Sequence, residues 1–551
     1  MTREPRNGRW WIIGLVLLLT LALMAPATAA PNGHANHHAF TKTITVVSTN
    51  DFHGALIGRT HSWSHGDVVG GAAVLAGYLD IVRDENPGGF LYLDAGDAMQ
   101  GTLISNYFDG ASTIDVFNAM GVDAMTIGNH EFDWGQDVLA DREHQAHFPF
   151  LAANIYYKNT TTRPYWATPY IVKRVKGVKI GIIGVANPET PSITNPVNVS
   201  DLEFTDPDGA VNDLIEDVEA AGATMIIVNA HLGGFWPDFK EGIKDLACSL
   251  DSDKVDLIVS GHTHSRIDDV ICDIPVVQAY SSGTAFARVD FTVDKRTGEA
   301  ISYEMNYKPT TTFETYYGAP ATYERWDTGV RQEVVPNAEV AAIVARYAAE
   351  VDAIKNEVIG ETTIAITRDY RYESAMGDWV TDIMRAYDPA IDFAMTNSGG
   401  LRADIDAGSI TFGEVFEALP FDNTLVTVEL TGAEVIQVLE EGITGEHGVV
   451  QVSGLQFTFD YDDVAGSRIV GDVIDLSTGS PLGSTTTYYV AVNDFMANGG
   501  DDYATLAASP QVNSYVLVRD LVVDWVKANS PFTPPDPTVE QRITALGTPP
   551  S

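Results

Sequence analysis

The run Ile44-Thr45-Val46-Val47-Ser48-Thr49, followed at once by Asn50-Asp51-Phe52-His53-Gly54, decides how the chain is read. Unbroken β-branched and apolar residues suit a strand covered on both faces. A polar cluster then stands at the carboxyl end of that strand. The pairing recurs: Phe90 to Leu93 precedes Asp94-Ala95-Gly96-Asp97, and Ala124 to Ile127 precedes Gly128-Asn129-His130-Glu131-Phe132-Asp133. Met225 to Val228 precedes Asn229-Ala230-His231, and Leu257 to Val259 precedes Gly261-His262-Thr263-His264. With a further run at Lys179 to Val185, these segments alternate with helical patterns and predict an α/β layered domain. Loops at the carboxyl ends of such strands converge on one crevice.

Singly, each cluster is weak, because a strand-end Asp is commonly a cap and Gly-His-Thr-His can be a satisfied loop. Five in succession, all rich in His, Asp or Asn, predict a metal site. Imidazole with carboxylate suits a divalent transition ion such as Zn²⁺, Mn²⁺ or Fe²⁺.

Composition bounds the remainder. The chain has 551 residues, 45% of them hydrophobic, and a formal charge of −42 from 75 acids and 33 bases. That length predicts two or three units, and the charge excludes sequence-independent binding of a nucleic-acid polymer. It also opposes any anionic substrate unless something local is positive. Arg3, Arg6 and Arg9 precede an apolar run, Trp10 to Ala25, and then Ala27-Thr28-Ala29, the layout of a signal peptide over residues 1–30. The run is shorter than the about 20 residues of a spanning helix. The expectation is export to the periplasm, cell surface or medium, with no membrane span after cleavage. In that setting Cys248 and Cys272 are either bridged or two buried thiols.

Beyond a first α/β domain over 41–335, Asn337 can cap a helix with Val340, Val344, Tyr347, Val351, Ile354 and Val358 on one face, ended by Gly360. This predicts a linking helix over 336–358. A second α/β domain is expected over 359–546.

The five clusters resemble, in order and spacing, the calcineurin-like metallophosphatases, and the longer strings Asp94 to Asn106 and Gly128 to Gly135 resemble their 5′-nucleotidase branch. The resemblance implies an N-terminal β-sandwich flanked by helices and two divalent ions. Asp51, His53 and His264 would hold one, Asn129, His231 and His262 the other, and Asp97 would bridge them. Two such ions roughly 3.5–4 Å apart lower the pKa of a shared water and hold a phosphoryl group for in-line attack. His130, oriented by Asp133, would stabilise charge and protonate the leaving oxygen; read from the residues alone, Asp133 is equally a helix cap. His34, His37, His38, His61 and His65 receive no role.

The second domain carries Asn397-Ser398-Gly399-Gly400-Leu401-Arg402, Leu419-Pro420-Phe421 and Asn493 to Asp501, which are similar to the nucleotidase C-terminal domain. The resemblance implies that Phe421 and Phe495 sandwich a base while Asn397, Gly400, Arg402 and Asp501 bind the rest. Where the family has an Arg, this chain has Tyr370; Arg371 is expected to substitute, with Arg368 as the other candidate. The implied activity is hydrolysis of nucleoside 5′-monophosphates, with di- and triphosphates or UDP-sugars as further substrates. Two other readings stay open: a 2′,3′-cyclic phosphodiesterase with 3′-nucleotidase activity, or a non-enzymatic surface nucleotide-binding protein.

Overall fold

The computed structural model describes residues 40–60, 68–235, 242–305, 322–443 and 447–549. The expected leader over 1–30 and His34, His37, His38, His61 and His65 lie outside the described residues. Among those residues, no helix is long and apolar enough to cross a membrane.

Two six-stranded sheets form the N-terminal half. The first runs Ala300–Met305, Ala287–Asp294, Thr41–Thr49, Phe90–Asp94, Ala124–Thr126, Phe150–Leu151. The second runs Arg266–Ile271, Ile274–Ala279, Leu257–Val259, Met225–Ala230, Val178–Val185, Tyr170–Val175. Each contains four mutually parallel strands. The twofold alternation of strand side chains explains the unbroken apolar runs. Ile44, Val46, Leu91 and Leu93 point between the sheets and meet Ile180, Ile182, Ile227 and Leu257 from the facing sheet. Val47 and Tyr92 point the other way, into a layer that includes helices Ala72–Glu85 and Ala111–Met120. Ile226 and Val228 do the same beneath helix Pro207–Ala220. The result is a sandwich with helices on both outer faces, and its parallel strands aim their carboxyl ends at one edge. Cys248 is bridged to Cys272, tying helix Ile243–Ser249 to the turn after Arg266–Ile271.

The linking helix spans Ala338–Lys355, and the Asn337 side chain accepts from the amides of Glu339 and Val340. Val340, Val344, Tyr347 and Val351 pack on the N-terminal helix layer, while Tyr347 and Arg346 both reach Asp115. The helix ends earlier than expected, at Asn356. Val358 and Gly360 belong to strand Val358–Thr362, paired with Gly408–Thr411, and Val358 is exposed. The glycine that reads as a helix stop instead admits Val526 and Ser530, whose side chains a Cβ there would strike at 2.5 and 3.0 Å.

In the second half, a five-stranded sheet, Gln451–Ser453, Phe393–Thr396, Thr487–Asn493, Thr424–Thr431, Gln511–Leu517, separates two cores. Helices Ala375–Arg385, Phe412–Ala418 and Val518–Asn529 cover one face. Helix Gly432–Glu441 and a small sheet built on Leu455–Asp460 cover the other. Both short helices Phe412–Ala418 and Gly432–Glu441 begin in capping boxes, Thr411 with Glu414 and Thr431 with Glu434.

Candidate active site

The strand ends of the sandwich turn sharply into loops. Asp51, His53, Asp97, His262 and His264 all have left-handed backbone, with φ of 49, 50, 54, 76 and 51°. Asp and His tolerate that region better than most side chains. The first two loops are zipped together: the Asp51, His53 and Gly54 amides donate to the carbonyls of Gly96, Asp97 and Ala98, each at 2.9 Å. The reversal and the zipper together turn both loops' side chains into the crevice.

Two groups of donor atoms result. Asp51, His53 and His264 form one, and Asp97, His231 and His262 the other, with the ligand atoms of each group within 4.8 Å of one another. The second also holds Asn129, whose Oδ1 lies 3.1 Å from His231 Nε2. Backbone carbonyls engage the remaining ring nitrogens: His53 Nδ1 lies 2.8 Å from Gln100 O, and His231 Nδ1 lies 2.7 Å from Ala95 O. That fixes each ring so that Nε2 faces the group, the usual support of a metal-bound imidazole. Burial holds the His53 and His262 imidazoles down to about 3, so both are neutral and able to ligate. Burial pushes the Asp51 carboxyl up to about 7 and Asp94 well above the carboxylate range. Ionised carboxylates at this depth call for strong local positive charge, and the donor set fits two divalent cations.

Four supports were not assigned from the sequence. Glu131, 1% exposed, accepts from the amides of Asp97, Ala98 and Gly128 at 2.9, 2.8 and 2.8 Å, binding two metal loops to each other. Asn50 donates to Asp51 Oδ2 and to the Tyr280 carbonyl, and accepts from the Ala279 amide. At Gly128 a Cβ would stand 2.2 Å from Asp97 Oδ1, so only glycine lets the third loop approach. Asp94 is likewise a strut, held by Thr49 and the Gly96 amide.

His130 lies beside these groups. Its amide donates to Asp97 Oδ1, and its Nδ1 lies 2.8 Å from Asp133 Oδ2. Asp133 Oδ1 in turn accepts from Thr194. Asp133 thus contacts the His130 ring, while the following helix, Gly135–Gln145, has no side-chain cap. Burial alone would lower the His130 imidazole, but the Asp133 and Asp97 carboxylates hold it above its ordinary value.

Phe421, from the second domain, stacks on His130 with ring centroids 5.8 Å apart and planes 24° from parallel. Arg402 lies over the other ring partner, its guanidinium carbon 5.9 Å from the Phe421 centroid. Phe495 packs next to Gly500, where a Cβ would strike its ring at 2.4 Å. Asn397 donates to Asp501 Oδ2 at 2.7 Å and accepts from Asn493 at 3.0 Å. Gly400, beside Arg402, closes a short turn by donating its amide to the Asn397 carbonyl. Arg368 donates to the carbonyl of Leu401, next to Arg402, and its charge acts on the Arg402 guanidinium, while the carbonyl of Arg371 accepts from Tyr461.

Residues 44–266 match the calcineurin-like phosphoesterase model, and residues 351–508 match the model of the 5′-nucleotidase C-terminal domain. A crystal structure of a 5′-nucleotidase precursor from Thermus thermophilus is 30% identical, superposes with a TM-score of 0.77, and is covered completely by 92% of this chain. The chain belongs to the 5′-nucleotidase family. It is a metal-dependent phosphoester hydrolase by that membership and by its two candidate metal sites. A 5′-nucleotidase from Vibrio cholerae is 27% identical over 94% of this chain and 97% of its own. A cell wall protein from Listeria monocytogenes is 28% identical over 93% of this chain and 70% of its own.

Proposed function

We propose that the protein hydrolyses nucleoside 5′-monophosphates to nucleoside and phosphate, and that it does so outside the cytoplasm. The stacking of Phe421 on His130 carries this reading, because it sets a base-sized aromatic face against the group that stands beside the metal loops. Asp51, His53 and His264 would hold one divalent cation, and Asp97, Asn129, His231 and His262 the other. When bound, such ions supply a water of lowered pKa and positive charge for the phosphoryl oxygens.

The chain's own groups do the rest. His130, its imidazole held above its ordinary value by Asp133 and Asp97, stabilises the negative charge that builds on the phosphoryl group and delivers a proton to the departing ribose oxygen. Arg402, with Arg368 beside it and Arg371 as the other candidate, adds positive charge on the second-domain side. Phe421 and Phe495 offer π-faces to the base, a recognition that tolerates different bases. Asp501 accepts from ribose hydroxyls, with Asn397 and Asn493 fixing its carboxylate. The overall charge of −42 does not oppose this, since two divalent ions and an arginine within a Debye length of about 8–10 Å outweigh distant acids. The leader over 1–30 and the likeness to a cell wall protein support export.

Phosphate release from AMP, ATP, UDP-glucose and 2′,3′-cyclic AMP tests the reading. AMP is expected to lead; a preference for the cyclic ester would transfer the assignment to cyclic phosphodiesterase.

A further inference from the structure

His447 has no place in the roles described so far, yet it stands at the nucleoside side of the crevice. Its Nδ1 is 3.8 Å from Asp501 Oδ1, and its Nε2 is 3.6 Å from Asp502 Oδ2. Asp501 is 8% exposed and sits at a left-handed φ of 52°, in the turn Gly500–Asp502. One of its oxygens, Oδ2, is taken by Asn397. The other, Oδ1, faces His447 across a gap too long for a direct hydrogen bond.

The backbone next to the imidazole is well held. The next residue, Gly448, has φ of 82°, and a Cβ there would meet the Tyr370 carbonyl at 2.7 Å. The Val449 amide donates to that same carbonyl at 2.9 Å, and the Val449 carbonyl accepts from Ser398 at 2.5 Å. Ser398 adjoins Asn397, so the backbone carrying His447 is pinned to the strand end that carries the partner of Asp501.

A carboxylate can only accept, and the open Asp501 Oδ1 can serve one hydroxyl well. A vicinal diol offers two, each able to donate and to accept. We propose that His447 Nδ1 and Asp501 Oδ1 form a two-point clamp for the 2′- and 3′-hydroxyls of a ribose, which makes His447 a specificity determinant for ribonucleotides. Either state of the ring nitrogen suffices, because a hydroxyl can be donor or acceptor to it. Asp502 Oδ2 stands 3.6 Å from Nε2 on the opposite edge of the ring. This clamp rests on the nucleotidase reading above.

Steady-state kinetics of the metal-loaded full chain test it with AMP, 2′,3′-dideoxy-AMP and p-nitrophenyl phosphate. His447→Ala is expected to raise KM for AMP about tenfold while kcat stays within about twofold, the scale of one hydrogen bond to the substrate. KM for the dideoxynucleotide and the aryl phosphate should move by less than about twofold, since neither offers a diol. His447→Asn, whose amide places a polar nitrogen near the same point, should keep most of the AMP affinity. An unchanged KM for AMP in His447→Ala, or an equal loss on all three substrates, would overturn the clamp. Wild-type protein that cleaves the aryl phosphate but no nucleotide would instead overturn the nucleotidase reading itself.

Discussion

Phe421 lies 5.8 Å from His130, ring on ring at 24°, and so joins the aromatic wall of one domain to the metal loops of the other. Asn106 reinforces the junction by donating to the Pro420 carbonyl at 3.0 Å, and Asn195 reaches Asp494 at 3.3 Å. If Phe421 contributes a face for the base, Phe421→Ala should raise KM for AMP roughly tenfold, the about 1–3 kcal/mol of one stacking contact. KM for p-nitrophenyl phosphate, measured beside it, should change little.

His130→Ala should lower kcat for AMP by about 10²–10⁴, the range of general acid–base and charge stabilisation by one positioned side chain. Metal content by elemental analysis should stay at the wild-type value, because the ring is placed beside the two donor groups and not within them. Asp133→Asn should show a smaller loss, since the ring would lose its charged partner at 2.8 Å while remaining in place.

Glu131 accepts three amides in a buried position, and among the described residues none of the three donates elsewhere. Glu131→Ala should destabilise the protein by about 3 kcal/mol or more, at about 1–3 kcal/mol for each amide left unpaired. Because the amides belong to two metal loops, metal affinity should fall together with the melting temperature. Differential scanning calorimetry and a metal-competition titration on one preparation would check both.

Asp501 gives a pH dependence. Burial raises its carboxyl from 3.8 to about 6, against the opposing pull of His447 and Asn397. A folded value above the unfolded one means that this group's contribution to stability is full below 3.8 and is lost as pH climbs through about 6. Binding runs the other way, because only the ionised carboxylate accepts two hydrogen bonds. The KM for AMP should therefore rise as pH falls from 7 to 5, and Asp501→Asn should remove that part of the slope while flattening the stability curve between pH 4 and 6. Comparing the two proteins cancels titration of the AMP phosphate.

The parts of this molecule that follow from local pattern were legible in its sequence. Strands such as Thr41–Thr49 and Met225–Ala230 are covered on both faces, so they read as unbroken apolar runs, and the metal-loop candidates follow directly at their ends. Asn337 announced the start of the linking helix by the chemistry of its side chain. Its end was not legible, because Gly360 serves close packing against Val526 and Ser530, far along the chain. The same holds for Glu131, Asn50 and His447. Each acts on groups brought near by folding, and neither its type nor its neighbours announce that. Glu131 could have been suspected from its position between His130 and Phe132 in a loop otherwise assigned to chemistry.

The central claim is that two divalent ions, held by Asp51, His53 and His264 and by Asp97, Asn129, His231 and His262, make this chain an AMP hydrolase. The most direct measurement is phosphate release from AMP by chelator-stripped protein as a divalent metal is added back, with bound metal counted in the same samples. Activity should be absent in the stripped protein and reach its plateau at two ions per chain. Full turnover by the metal-free protein, or a plateau reached with one ion, would contradict it.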